Sequence, residues 1–367
     1  APKILRNKTM KFLNSVDGYF IKIVFKKNFD KKYSFPLLSY MNKMSRSFTN
    51  ELEGREIYID RISLEDVMKF YEITEEDFEI IEGYYYDEGR NNRIQVVIRK
   101  IFDMRLEKKT DKNPIEQLYK LIMNSGYGKT LLKPYDTELK IVDNEEKYAK
   151  YVFRNHNRIK QVIPIHNSEK YAIKESVPII SHYNYAHIGV EILSMSKRVM
   201  NEVMCLAEDN DINIYYQDTD SMHIEFDKVP KLESLFEDTY GKKLNGKNMG
   251  QFHIDFKSKI LKNEIYASQS VILGKKCYAD LLEDGSGDVD YHIRMKGIPH
   301  TTLHYTAKKM DLNLIEMYEY NISKGIHYDL CEGGTRCKWI KNDNMSISMR
   351  RKFERFLSFG GEIIRVD

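Results

Sequence analysis

The sequence predicts an α+β fold, and three patterns carry that prediction. Residues 18–26, GYFIKIVFK, alternate apolar side chains with others, the period of a strand. Residues 92–109, 113–129 and 184–208 repeat apolar side chains at helical spacing instead. Residues 212–226, INIYYQDTDSMHIEF, alternate on both sides of a turn, the pattern of an antiparallel hairpin.

Taken in order, Ser63-Leu-Glu-Asp66 and Thr74-Glu-Glu-Asp77 both read as capping boxes, so a short helix is expected after each. The helix over 92–109 carries Ile94, Val97, Ile98, Ile101 and Leu106 on one face. The next carries Ile115, Leu118 and Ile122, with Tyr119 beside them. Asp111-Lys-Asn-Pro114 separates the two, with Pro114 suited to a first helical turn. Residues 130–178 are polar and weakly periodic, with strand-like pieces at YVF (from 151) and QVIPI (from 161), and read as a β-rich insertion. The helix over 184–208 repeats through Ile188, Ile192, Val199, Val203 and Leu206. The hairpin that follows has Asp218-Thr219-Asp220 at its tip. Glu283-Asp-Gly-Ser-Gly287 marks a tight turn, and beyond residue 300 helices mix with a Gly-rich segment from Cys331 to Thr335.

A length of 367 residues corresponds to two or three compact units. With 42% hydrophobic and 31% charged residues, the composition excludes disorder, collagen and a coiled coil for the chain as a whole. No run approaches about 18 apolar residues, so no membrane span is expected. The first 20 residues lack the apolar core and cleavage site of a signal peptide. Cys205, Cys277, Cys331 and Cys337 do not make a disulfide scaffold, and the sequence near the close pair Cys331/Cys337 does not complete a four-ligand zinc set. The expectation is a reduced intracellular protein that is not secreted. Net charge is only +3, but residues 1–50 hold 11 basic against 2 acidic side chains and residues 51–100 hold 7 against 14. Such zoning suits a protein that holds a polyanion on one surface and cations at another, and equally suits ordinary solvated surface. The 26 tyrosines fit base stacking or half-buried packing alike.

Two constellations carry chemistry. Asp218 and Asp220 would repel each other side by side, and a divalent cation removes that penalty. Hard oxygen ligands suit magnesium, which keeps several waters and is completed by substrate phosphates. The implied chemistry is phosphoryl or nucleotidyl transfer. The second constellation is Lys120-Leu-Ile-Met-Asn124-Ser125-Gly126-Tyr127-Gly128-Lys129. On a helix, Lys120, Asn124 and Tyr127 share one face. Lysine there suits a triphosphate, tyrosine suits a base or its sugar, and Gly128 leaves room for another backbone. Arg105 and Lys108, on the preceding helix, add positive charge.

These two segments resemble motifs of the family B DNA polymerases. Tyr216-Gln-Asp218-Thr219-Asp220-Ser221 is similar to motif C, and Lys120 through Gly128 to motif B, in the family's order and separation. Lys276-Cys277-Tyr278 resembles the Lys-x-Tyr motif, and Met295-Lys296-Gly297 a later patch. The insertion at 130–178 lies where protein-primed members, from small phages and linear plasmids, carry one that helps encircle DNA and separate strands. The resemblance covers roughly residues 15–300. It implies an antiparallel-sheet palm with helical fingers and a C-terminal thumb. The palm would take 1–91 and 179–300, the fingers 92–129, the insertion 130–178 and the thumb 301–367. It implies Asp220 as principal metal ligand with Asp218 beside it, Lys120 and Lys108 on the incoming triphosphate, and Tyr127 against the nucleotide. Asn124, Ser125 and Gly128 would lie near the nascent pair and template. Thr219, Lys276 and Tyr278 would hold the primer end, and Lys296 the duplex backbone. Partners would be primer-template DNA, dNTPs and a terminal protein. The cofactor would be Mg2+ at a two-metal site, with Mn2+ as its substitute.

One family element is missing. Motif A, Asp-x2-Ser-Leu-Tyr-Pro, supplies a further metal-binding carboxylate and the tyrosine that excludes a ribose hydroxyl. Asp17 precedes Gly-Tyr-Phe and Asp60 precedes Arg-Ile-Ser, so neither fits it, and the proofreading acidic motifs are absent too. Ala1 commonly survives removal of an initiator Met, so a natural chain start is expected. The reading is therefore a split polymerase whose second polypeptide brings motif A and the exonuclease. Its competitors are an inactive polymerase-derived DNA-binding scaffold and a nucleotidyltransferase of other sugar specificity.

Overall fold

The computed structural model describes residues 2–42, 45–89, 92–133, 135–178, 185–329, 336–340, 346–350, 355–359 and 362–366. The expected Gly-rich segment from Cys331 to Thr335 lies outside them. Helices and antiparallel strands make up an α+β fold. In order they begin β1 (Lys3–Ile4), α1 (Met10–Leu13), β2 (Gly18–Phe25), β3 (Ser39–Asn42), β4 (Ser45–Phe48), β5 (Glu56–Asp60), α2 (Arg61–Phe70) and β6 (Phe78–Tyr86). Then come α3 (Arg93–Thr110), α4 (Ile115–Thr130), β7 (Thr137–Val142), α5 (Glu145–Asn155), β8 (Ile159–Pro164), β9 (Tyr171–Ser176) and α6 (Ala186–Glu208). The remainder holds β10 (Ile214–Asp218), β11 (Ser221–Ile224), α7 (Val229–Tyr240), β12 (Tyr266–Gly274), β13 (Cys277–Glu283), β14 (Val289–Met295), α8 (His300–Lys309) and α9 (Leu314–Ser323). Last are β15 (His327–Asp329), β16 (Arg336–Ile340), β17 (Ser346–Arg350), β18 (Arg355–Phe359) and β19 (Glu362–Val366).

Two compact units result: residues 1–140, 155–161 and 173–211 form one, and residues 141–154, 162–172 and 212–367 the other. In the first, an antiparallel sheet of order β1-β6-β2-β5 is built on β2, whose Tyr19, Ile21, Ile23 and Phe25 are all buried. Leu64, Val67 and Phe70 of α2 close over the same core. Helix α2 starts at Arg61, before the expected box, because the Asp60 carboxylate accepts from the N–H groups of Ile62 and Ser63 and is the true cap. The Thr74/Asp77 box does form, but it caps a single 3-10 turn over Glu75–Asp77 that runs straight into β6. The residues after it, Phe78-Glu-Ile80, alternate buried and exposed, so strand pairing with β2 wins over helix.

Helix α6 is locked to α2 by a buried polar knot. Arg198 donates from Nε to Asp66 at 2.5 Å and from its guanidinium to Glu65 and the Ile62 carbonyl. Asn201 donates to the second Asp66 oxygen at 2.9 Å. Removing one partner of a buried pair strands the other. Asp66→Ala is therefore expected to destabilise the first unit by about 3 kcal/mol, read as a lower denaturant midpoint in chemical unfolding. Gly189, one turn into α6, lets the end of α4 approach: a Cβ there would lie 2.3 Å from Thr130 Oγ1.

Helices α3 and α4 form where the periodicity placed them. No residue of α3 is buried, and Ile94, Val97, Leu118 and Ile122 stay exposed. Within 130–178 the strands β7, β9 and β8 form a three-stranded sheet in that order, and QVIPI lies largely in β8. YVF at 151 is instead helical, within α5, whose leading Glu145 and Glu146 suit a helix N-terminus.

The second unit centres on the antiparallel sheet β12-β13-β14. Leu273, Ala279 and Ile293 from this sheet pack with Leu303 of α8 and Met317 and Tyr318 of α9. The expected turn at Glu283–Gly287 joins β13 to β14, with Gly285 and Gly287 at positive φ. Strands β10 and β11 pair as the expected hairpin. Among the described residues no helix is long and apolar enough to cross a membrane.

Candidate active site

The hairpin apex is tighter than a three-residue tip. Asp218 closes β10 and pairs with Ser221, so only Thr219 and Asp220 form the turn. Thr219 has φ 61°, a left-handed conformation that a β-branched residue adopts under strain. The Asp220 N–H donates to the Asp218 carbonyl at 2.7 Å, a three-residue closure of γ-turn type. The Ser221 hydroxyl donates to the same carbonyl at 3.1 Å, and the Thr219 hydroxyl to the Asp218 carboxylate at 3.0 Å. Asp218 is thus the organiser of the turn and Asp220 the residue it displays. The Asp220 carboxylate is exposed, and no hydrogen bond or ion pair engages it among the described residues.

Lys276 completes this arrangement from the two-residue turn between β12 and β13. Its ammonium donates to Asp218 Oδ2 at 2.5 Å, and its backbone N–H donates to the Tyr216 hydroxyl at 2.8 Å. The hydrogen bond from Lys276 holds the Asp218 carboxyl below its ordinary value, and Asp218 in turn raises the Lys276 ammonium. The signs define the window. A depressed carboxylate adds stability above 3.8 and loses it as pH falls. A raised ammonium adds stability below 10.5 and loses it as pH rises. Lys276→Met is expected to move the Asp218 pKa upward, read from the side-chain carboxyl 13C shift across an acid titration.

Lys296 joins by its backbone, donating from N to the Lys276 carbonyl at 3.0 Å. Tyr278 packs its ring 4.9 Å from Tyr216. The structure therefore brings together Asp218, Thr219, Asp220, Lys276, Tyr278 and Lys296, all within the second unit. The other sequence-predicted residues lie in the first unit, on α3 and α4. Lys120, Asn124 and Ser125 are exposed on α4, with Tyr127 and Gly128 half-buried toward its end. A Cβ on Gly128 would meet nothing within 4 Å, so the backbone approach expected there is not made among the described residues. Lys108 is held by Glu107 at 2.7 Å and Asp111 at 3.7 Å, and the Glu107 hydrogen bond raises its pKa. Arg105 is paired with Glu116 at 3.2 Å. Lys120 has no such partner among the described residues, which leaves it the freer cation of the set.

The two aspartates that failed the motif A pattern serve the fold. Asp60 caps α2, and Asp17 accepts from the Gly89 N–H at 2.6 Å. Among the described residues no three His, Cys, Asp or Glu are grouped to hold a metal. Asp218 and Asp220 are thus a partial donor set of hard oxygens, which fits a divalent cation such as magnesium only if other groups complete its sphere.

The family described as DNA polymerase type B, organellar and viral, matches residues 4–209. The chain belongs to the type B DNA polymerases. A DNA polymerase of Acidianus bottle-shaped virus (isolate Italy/Pozzuoli) is 39% identical over 56 residues, which is 14% of this chain and 9% of that protein. Among solved structures, the orthorhombic crystal form of Phi29 DNA polymerase is similar over 100% of this chain with a TM-score of 0.55 and 16% identity. The Phi29 ternary complex with primer-template DNA and incoming nucleotide gives a TM-score of 0.56 and 17% identity. This type B chain spans 53% of the Phi29 polymerase chain in both. The family match ends at 209, so the hairpin and Lys276 lie beyond it and stand on their own geometry.

Sequence reasoning missed Gly189, and it missed three polar side chains packed around the hairpin, His223, Asp280 and His292. The Lys-x-Tyr segment held a signal for Asp280. Tyr278 and Asp280 are two apart on one strand and so share a face.

Proposed function

We propose that the chain is the C-terminal palm, fingers and thumb portion of a protein-primed type B polymerase. It carries out DNA-templated DNA synthesis by two-metal nucleotidyl transfer. The palm takes residues 1–91 and 179–300, the fingers 92–129, the insertion 130–178 and the thumb 301–367. The observation that carries the reading is the apex itself: a strained turn held by Asp218 and Lys276 displays an unengaged Asp220 carboxylate. Asp220 would be the principal residue holding magnesium, with Asp218 beside it. Bound metal supplies charge neutralisation at the reacting phosphoryl oxygens. Lys120 neutralises the triphosphate, with Lys108 as a weaker second, and Tyr127 packs on the nucleotide. Asn124, Ser125 and Gly128 border the nascent pair. Thr219, Lys276 and Tyr278 hold the primer end, and Lys296 the duplex backbone.

The further metal-binding carboxylate comes from polypeptide outside this sequence, carrying Asp-x2-Ser-Leu-Tyr-Pro together with the exonuclease. The protein works inside cells with viral or plasmid replication machinery and a terminal protein. The test is primer extension with separate dNTP and rNTP pools, with and without whatever polypeptide co-purifies with the chain. Extension with dNTPs that requires the co-purifying polypeptide supports the reading. DNA binding without extension in any pool identifies a scaffold, and extension from rNTPs a different nucleotidyltransferase.

A further inference from the structure

Asp280 is a fully buried carboxylate at the centre of the sheet in the second unit. The two flanking strands and the hairpin each direct a polar group at it. The Ser270 hydroxyl of β12 donates to Oδ1 at 2.7 Å. His292 Nδ1 of β14 lies 3.0 Å from Oδ2. Ser270, Asp280 and His292 are direct cross-strand partners, a lateral row through β12, β13 and β14. The third group is His223 of β11, with Nδ1 3.8 Å from Oδ1, an electrostatic contact beyond hydrogen-bond length. His223 is three residues past Asp220 and is the register partner of Tyr216.

Rings fill the space between the row and the hairpin. Tyr278 lies 5.2 Å from His223 and 5.6 Å from His292, and Phe256 caps His292 at 5.5 Å. Tyr216 touches both Tyr278 and His223, and its hydroxyl accepts from Lys276, the residue that grips Asp218. A continuous set of contacts therefore runs from Asp280 through His223, Tyr216 and Lys276 to the apex. Burial holds His223 below the ordinary imidazole value, while Asp280 pulls it the other way.

Burying a carboxylate costs several kcal/mol per ion, and apolar side chains of the same volume often serve a fold equally well. A carboxylate satisfied on every strand serves specification of position better than it serves stability. We propose that Asp280 is a positioning residue: with Ser270, His292 and His223 it seats the Asp218–Asp220 hairpin on the β12–β14 sheet. This rests on the reading of that hairpin as catalytic. Asp280 touches no reacting atom. It acts through the hairpin register, and displacement of a reacting group by about 1 Å can cost about 100-fold in rate.

The experiment compares the full chain with Asp280→Asn, which keeps the shape and removes the charge. Backbone amide shifts of Thr219, Asp220 and Ser221 are followed by 15N TROSY NMR. Turnover is measured with the motif A polypeptide present. The expected result is displaced apex amides, a kcat lowered at least about tenfold, and a KM for dNTP within about twofold of wild type. Unmoved apex amides overturn the proposal, as does an unchanged kcat with displaced amides. A wild-type chain that never extends a primer, yet shows the same amide response, removes the polymerase reading and upholds the coupling of Asp280 to the hairpin. Should Asp280→Asn fail to fold, Ser270→Ala removes one hydrogen bond and no charge. It should move the same amides in the same direction, and apex amides identical to wild type in that variant overturn the proposal.

Discussion

Asp220→Asn is expected to lower primer extension by the reconstituted polymerase at least about 1,000-fold, because the amide keeps the shape and loses the charge that a divalent ion needs. The melting temperature should not move. The Asp220 side chain is exposed and makes no hydrogen bond or ion pair among the described residues, so its removal strands no partner. Only its backbone N–H holds the turn, by donating to Asp218, and asparagine retains that group. A steady-state extension assay paired with a thermal melt separates the two effects. Extension at wild-type rates would refute the metal-ligand assignment outright. Parallel loss of melting temperature and activity would instead mark Asp220 as a structural residue.

Lys120→Ala is expected to reduce kcat/KM for dNTP by roughly 100-fold, the scale of a charge-assisted contact to phosphate. Affinity for primer-template DNA should change little. The fingers cations differ in how far acidic neighbours already neutralise them. Lys108 shares its charge with Glu107 and Asp111, and Arg105 with Glu116, whereas Lys120 has no such neighbour among the described residues. Lys108→Ala should therefore lower kcat/KM less than Lys120→Ala. Nucleotide titrations at saturating DNA decide the matter, and equal losses for the two variants would reject the ranking.

Much of the architecture was legible because periodicity reports local geometry. Strand β2, helices α3, α4 and α6 and the β10–β11 hairpin all fall where alternation or helical spacing placed them. Periodicity says nothing of what covers an apolar stripe: Ile94 and Leu118 lie on the helix faces it placed them on, and they are exposed. Capping patterns were read one step too far. Thr74 and Asp77 satisfy each other as foreseen, but Phe78 and Ile80 gain more from pairing with β2 than from extending a helix. YVF at 151 looked like a strand from three residues alone, and the surrounding Glu, Lys and Ala make it helical.

The site divides along the same line. Asp218, Thr219, Asp220 and Lys276 belong to short motifs, so they could be picked out in one dimension. The row of Ser270, Asp280 and His292 could not. Its members are ten and twelve residues apart and meet only through antiparallel register, which a single sequence does not disclose.

Thr219 gives the hairpin one further property. A residue with a branched side chain twisted into left-handed space acts as a wound spring, and the catch is the pair of contacts that Asp218 makes with Ser221 and Lys276. Whatever releases that catch also releases the twist. The tip should therefore be the earliest part of its unit to fray on warming, exchanging amide hydrogens well before the strands behind it come apart.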